Sequence, residues 1–165
     1  MKVIDWLAKQ FDHETKTTRR HLERLPDDKL DWRPHEKSYT AGALASHLVE
    51  CVNWTTDIFT KNEVNFDPAT YKPYLAASTT ELLEAFDKAV ADGKRALEGV
   101  DDEAASQMWA LKFGGKTLFE RPRFDVFRDF TLSHLIHHRG QYSVYLRLLD
   151  VPVPSSYGPT ADEQF

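Results

Sequence analysis

RFDVFRDFTLSHLIHHRGQYSVYLRLL, residues 123–149, decides the fold. It reads as one long helix, the richest in aromatics in the chain. It must end before VPVPSSYGPTADEQF, whose three prolines forbid helical continuation. Working back toward the N-terminus, Gly114-Gly115 inside WALKFGGKTLFE is a two-residue turn signal and predicts a small β-hairpin. TELLEAFDKAVADGKRALEGV predicts a third helix starting near Ser78 or Thr79, with first-turn carboxylates that suit the helix dipole and Gly99 to stop it. NEVNFDPATYKPYLAAS, with two prolines and no helical period, reads as a long crossover. A second helix runs from about Ala41 to Lys61, with Thr40 as N-cap and Leu44, Leu48, Val52 and Phe59 as its apolar stripe. The first spans roughly Val3 to Leu25, on Ile4, Leu7, Phe11, Leu22 and Leu25, until Pro26 breaks it. Glu14 and Thr18 occupy stripe positions where apolar residues are expected. Four long helices and little strand predict an all-α fold, an antiparallel four-helix bundle with at least one long connection.

Composition narrows the function classes. A chain of 165 residues fits one domain, and its 4 Trp, 6 Tyr and 10 Phe can fill a core. The formal charge is −5, so no positive field exists to attract nucleic acid or an anionic membrane surface. The single cysteine, Cys51, excludes an intrachain disulfide and a Cys-rich zinc module. No signal core or membrane-length apolar run is present, and the sequence predicts a soluble, cytoplasmic protein.

The histidines carry the functional signal. At about 100° per residue, His134 and His138 fall among Phe127, Thr131, Tyr142 and Tyr145, on the predicted bundle-facing stripe of the last helix. One turn apart, two imidazoles can share a metal ion. The alternative is a pair of hydrogen-bonded core histidines, which needs partners for up to four ring nitrogens. His47 lies on the shoulder of the second helix's stripe, near Cys51, and antiparallel packing would bring it opposite the pair. Three neutral imidazoles with an open position suit Zn²⁺ or Ni²⁺.

SHLIHHRGQYSVYLRLLDVPVPSSYGPTADE resembles the C-terminal signature of the DinB-like superfamily, in its run of His134, His137, His138, Arg139, Gly140 and Gln141. ALASHLVE resembles the same family's second-helix histidine, which falls on His47. The resemblance implies a four-helix bundle in an up-down-down-up arrangement, often a homodimer. It also implies a divalent metal held by His47, His134 and His138, and in some members a low-molecular-weight thiol cosubstrate for S-transfer or isomerisation on a small molecule.

Other residues carry two readings each. Glu14 is either a partner or general base near the metal or, as the favoured alternative, a helix-surface carboxylate. Glu50, three residues beyond His47, is its counterpart on the second helix. Tyr145 either reaches substrate through its hydroxyl or fills the core. Cys51 is a fourth ligand that would close the site or, as the favoured reading, a small buried hydrophobe. His137 flanks the site, and Arg139 forms a supporting salt bridge or is solvated. Pro152, Pro154, Tyr157 and Pro159 are expected to pack over the bundle end. His13, His21 and His35 read as surface or connector residues. The leading expectation is a metal-dependent transferase with a thiol cosubstrate; a hydrolase on the same ligands, a non-catalytic metal-binding module and a metal-free bundle are the rivals.

Overall fold

The computed structural model describes residues 2–164. Four long helical stretches form the bundle: α1 (Val3–Leu22), α2 (Ala41–Thr60), α3 (Thr79–Leu97) and a composite last helix. The last consists of α5 (Arg123–Val126), a π-helical segment (Phe127–Ser133) and α6 (His134–Leu148), with a short α4 (Asp102–Ser106) earlier in the chain. Side-chain pairs fix the directions. Asp12 meets Lys94 and Arg19 meets Asp87, so α1 and α3 are antiparallel. Ser46 binds the amide of Ala76, while a Cβ on Gly93 would meet Thr55, so α2 and α3 run parallel. Phe11 contacts Phe127 and Glu14 contacts Arg139, which makes α1 parallel to the last helix. His47 faces His134 while Phe59 faces Phe127, so α2 is antiparallel to it. The arrangement is up-down-down-up.

Each helix is set by local chemistry. Thr40 accepts from the Ala43 amide at 3.1 Å, and the Trp32 and Leu30 carbonyls take the amides of Ala41 and Gly42, which together satisfy the start of α2. A Cβ on Gly42 would stand 3.0 Å from the Leu30 carbonyl, so the connector and the helix meet at glycine distance. Ser78 caps α3 through the Glu81 amide. For α1 the cap comes from far along the chain: the Asp102 carboxylate accepts from the Val3 and Ile4 amides, and these bonds hold it below the usual carboxylate range.

A three-stranded sheet lies beside the bundle in the order β1 (Glu63–Phe66), β2 (Met108–Phe113), β3 (Lys116–Pro122). The hairpin β2–β3 turns at Gly114-Gly115, both at positive φ, as a two-residue primed turn demands. The crossover gains a strand not anticipated: β1 pairs in parallel with β2, joining Val64 to Leu111 and Phe66 to Phe113.

Three expectations are corrected. Glu14 is not a surface carboxylate: at 2% exposure it lies in the core beside Arg139, also at 2%. The stripe of α1 therefore continues through Glu14 and Thr18, and the period was right where the residue types were misleading. Arg139 donates to the Glu14 carboxylate at 2.7 Å and to the Thr18 hydroxyl at 3.3 Å. The Tyr157 hydroxyl accepts from Arg139 and donates to Glu14, each at 2.8 Å. His21, expected at the surface, is buried, with Nδ1 on the Thr17 carbonyl, and burial lowers its pKa. His134 and His138 are half-buried and flank the core stripe, whose fully buried line is Leu135, Arg139, Tyr142 and Leu146. The cause is the π segment: i→i+5 bonding widens the turn and shifts everything downstream out of phase with a uniform 100° wheel.

The tail packs on the bundle through buried Val153 and Pro154, with Arg20 on Glu163 and Arg147 on Asp162 as ties. Of the other residues expected there, Pro152 and Pro159 are exposed, and Tyr157 is exposed with its hydroxyl turned to Arg139 and Glu14. The Ser155 amide first and then Arg20 pull the Glu163 carboxyl down from 4.5 to about 2. A depressed carboxyl contributes stability above its unfolded value that is lost as pH falls through the folded one. The protection factor of the Ser155 amide, its exchange rate relative to an unstructured peptide at the same pH, should therefore fall between pH 4.5 and about 2 while protection in α2 is kept; unchanged protection at Ser155 would reject this tie. Arg139→Met should cost about 3–5 kcal/mol in urea unfolding, because it leaves Glu14 buried without its cation, and adding Glu14→Leu should recover a large part.

Candidate metal centre

The antiparallel faces of α2 and α6 bring His47, His134 and His138 together. Nε2 of His47 is 3.4 Å from Nε2 of His134, which is 2.9 Å from Nε2 of His138. The three ring centroids lie 4.6–5.0 Å apart. The outward nitrogens are occupied: His47 Nδ1 meets the Glu50 carboxylate at 2.9 Å, and His138 Nδ1 meets the Gln141 side-chain oxygen at 2.7 Å. A carboxylate accepts only, and the Gln141 oxygen accepts as well, so both Nδ1 atoms donate. A neutral ring protonated on Nδ1 presents its lone pair on Nε2.

This arrangement fits a cation. Converging lone pairs repel, and a positive ion between them turns the repulsion into ligation. With metal–nitrogen bonds of about 2.0–2.1 Å, the edges between neighbouring ligands run about 2.9–3.4 Å, the range of the two distances here. Burial first, and the neighbouring His138 and His47 next, lower the pKa of His134 to about 4. Burial also lowers that of His138, so both rings are neutral and able to ligate at neutral pH.

A second grouping shares two of these residues. Ligand atoms of His47, Cys51 and His134 all lie within 4.8 Å of one another, so this His-Cys-His cluster could hold a metal ion. Cys51 is fully buried, and desolvation pushes its thiol well above the ordinary value, which disfavours the thiolate without a cation.

The remaining sequence candidates take distinct places. Glu50 uses both oxygens, one on His47 and the other on the Tyr74 amide in the crossover, and so ties α2 to the pocket wall. Glu14 is committed to Arg139 and Tyr157. Tyr145 is half-buried and donates to the Tyr39 carbonyl at 3.2 Å, while the Tyr39 ring stacks on His47. His137 is exposed and lines a neighbouring cavity with Arg121 and Asp129. Gln141, matched in the His-rich run but given no role there, is a further participant; its i+3 spacing from His138, the same as that of Glu50 from His47, is the available signal. Aromatic residues of the crossover and the sheet, Phe66 and Tyr71 among them, wall the approach to His47 and His134. No periodicity announced them.

No helix among the described residues is long and apolar enough to cross a membrane. The protein YrdA of Bacillus subtilis (strain 168), described as uncharacterized, is 25% identical over 169 residues, covering 98% of this chain and 92% of its own. A crystal structure of a DinB-like protein from Bacillus cereus ATCC 10987 superposes with a TM-score of 0.70 at 22% identity, covering 92% of this chain and 95% of its own. Another, of the DinB-like protein YjoA from Bacillus subtilis, gives 0.71 at 17% identity, covering 97% and 99%. At these identities the two structures speak for the fold alone. The sequence model of the DinB family matches residues 2–164, and the chain belongs to that family.

Proposed function

We propose that this DinB-family chain holds a divalent ion, zinc or nickel, on the Nε2 atoms of His47, His134 and His138, and acts as a transferase with a low-molecular-weight thiol as cosubstrate. The observation that carries the reading is the convergence of three Nε2 atoms while Glu50 and Gln141 occupy the outward nitrogens of two rings. A cation there supplies one thing: it lowers the pKa of a thiol beside it and stabilises the thiolate at neutral pH.

The chain's own residues supply the rest. Three neutral imidazoles bring no negative charge to the ion, which leaves a preference for an anionic fourth ligand. Glu50 fixes the tautomer and angle of His47, and Gln141 does so for His138. The transferase is favoured over a hydrolase because the carboxylates suited to activating water are engaged, Glu50 by His47 and the Tyr74 amide and Glu14 by Arg139 and Tyr157. The proximity of Cys51 supports a second reading, a closed structural site without catalysis.

Metal analysis of purified unmodified protein, His138→Ala and Cys51→Ala separates these readings. One equivalent is expected in the unmodified and Cys51→Ala proteins, with strong depletion in His138→Ala. Full occupancy in His138→Ala, or none in the unmodified protein under metal-replete conditions, overturns the ligand set; depletion in Cys51→Ala alone selects the closed site. Glu50→Gln should weaken metal affinity about 10–100-fold while the metal-free protein keeps its Tm. In assays of thiols with electrophiles, transfer that runs equally fast in His138→Ala would reject a catalytic role for the ion.

A further inference from the structure

Beside the histidines lies a cavity of about 290 Å³. Its walls are Trp54 from α2, Phe66 from β1, Tyr71 from the crossover and Phe130 from the π segment, and His47 and His134 stand at one side. The rings meet at steep angles: Trp54 and Phe66 at 83°, Trp54 and Phe130 at 74°, Phe66 and Tyr71 at 61°. Such walls form a box with flat faces in several directions. An apolar cavity of about 150 Å³ is enough for benzene, so this one has room for a second ring or a short side chain.

The charges at the cavity are one-sided. Among the described residues no lysine or arginine lines it, and its carboxylates are Glu50 and Asp57. Glu50 is held by His47 and the Tyr74 amide, and Asp57 pairs with Lys61 at 2.5 Å. Arg121, which lines the adjoining cavity, is committed to Asp129. An anion placed among these rings would lose its hydration and find no cationic side chain in return.

We propose that this cavity binds an aromatic molecule of one or two rings that carries no negative charge, seated against His47 and His134. Its orientation toward an ion rests on the metal reading above; the class of ligand rests on the cavity alone. A second cavity, of about 420 Å³, shares His47, Glu50 and Tyr71, so these three side chains border both chambers.

The test uses full-length protein freed of metal with a chelator, so that a carboxylate probe cannot gain affinity by ligation. Naphthylmethanol and naphthoate, matched in shape and differing in charge, are titrated by ligand-observed NMR. The neutral probe should bind at least about threefold more tightly. Tyr71→Ala, at an exposed position, and Phe66→Ala should each weaken it by at least about threefold while zinc stoichiometry stays that of the unmodified protein. Naphthoate binding within threefold or better, no binding by either probe, or unchanged affinity in both variants overturns the proposal. Unmodified protein that takes neither zinc nor nickel but binds naphthylmethanol sinks the metal reading and leaves this one standing; metal binding without naphthylmethanol binding does the reverse.

Discussion

The Arg139 guanidinium, buried against Glu14, sets the geometry on which the rest depends. Burying a charge of this size is tolerable only with a paired partner and further hydrogen bonds, and Thr18 and Tyr157 complete the set. The consequence is rotational. Once residue 139 points inward at α1, the positions one and five before it turn toward α2, and those positions are His138 and His134. A single ion pair on one side of the last helix therefore aims two imidazoles on another. The same pair receives the Tyr157 hydroxyl, so the C-terminal tail is fastened to the element that orients the histidines.

The π segment lets the last helix satisfy two demands. Upstream, Phe127 must meet Phe11 and Phe59, and Arg123 must reach the carbonyls of Ile58 and Lys61. Downstream, Leu135, Arg139, Tyr142 and Leu146 must face the core. A regular helix through both sets would misalign one of them, and seven residues of wider turn absorb the difference. Phe130, inside that stretch, is thereby presented to the aromatic cavity.

Much of this was legible in the chain. Caps at Thr40 and Ser78, the Gly-Gly turn and the spacing of apolar residues on α1 and α2 are local signals, and local structure follows them. The pairing of His47 with His134 and His138 rests in the sequence on the family resemblance of ALASHLVE; apolar stripes alone leave the register of two helices open. What escaped reading has common physical causes. Glu14 and Arg139 are polar residues at core positions, each intelligible only when the other, 125 residues away, is known. The π segment carries no compositional mark, so a uniform wheel put the histidines on the core line when they flank it. β1 is four residues long and exists because β2 offers it an edge.

The parallel alignment of α2 and α3 has a further consequence. Neighbours that point the same way cannot be joined by a tight turn; the chain must travel back about the length of a 20-residue helix, roughly 30 Å, before it can start again. That return path passes over the histidines, and Phe66, Tyr71 and Tyr74 come from it. Part of this stretch belongs to the core, since Ala76 is buried and Val64, Phe66 and Tyr74 pack against it. Its exposed positions, Tyr71 and Leu75 among them, carry no such duty. Within one architecture, new preferences for small molecules can therefore arise by editing the exposed positions of a connection and leaving the helices and the histidines alone.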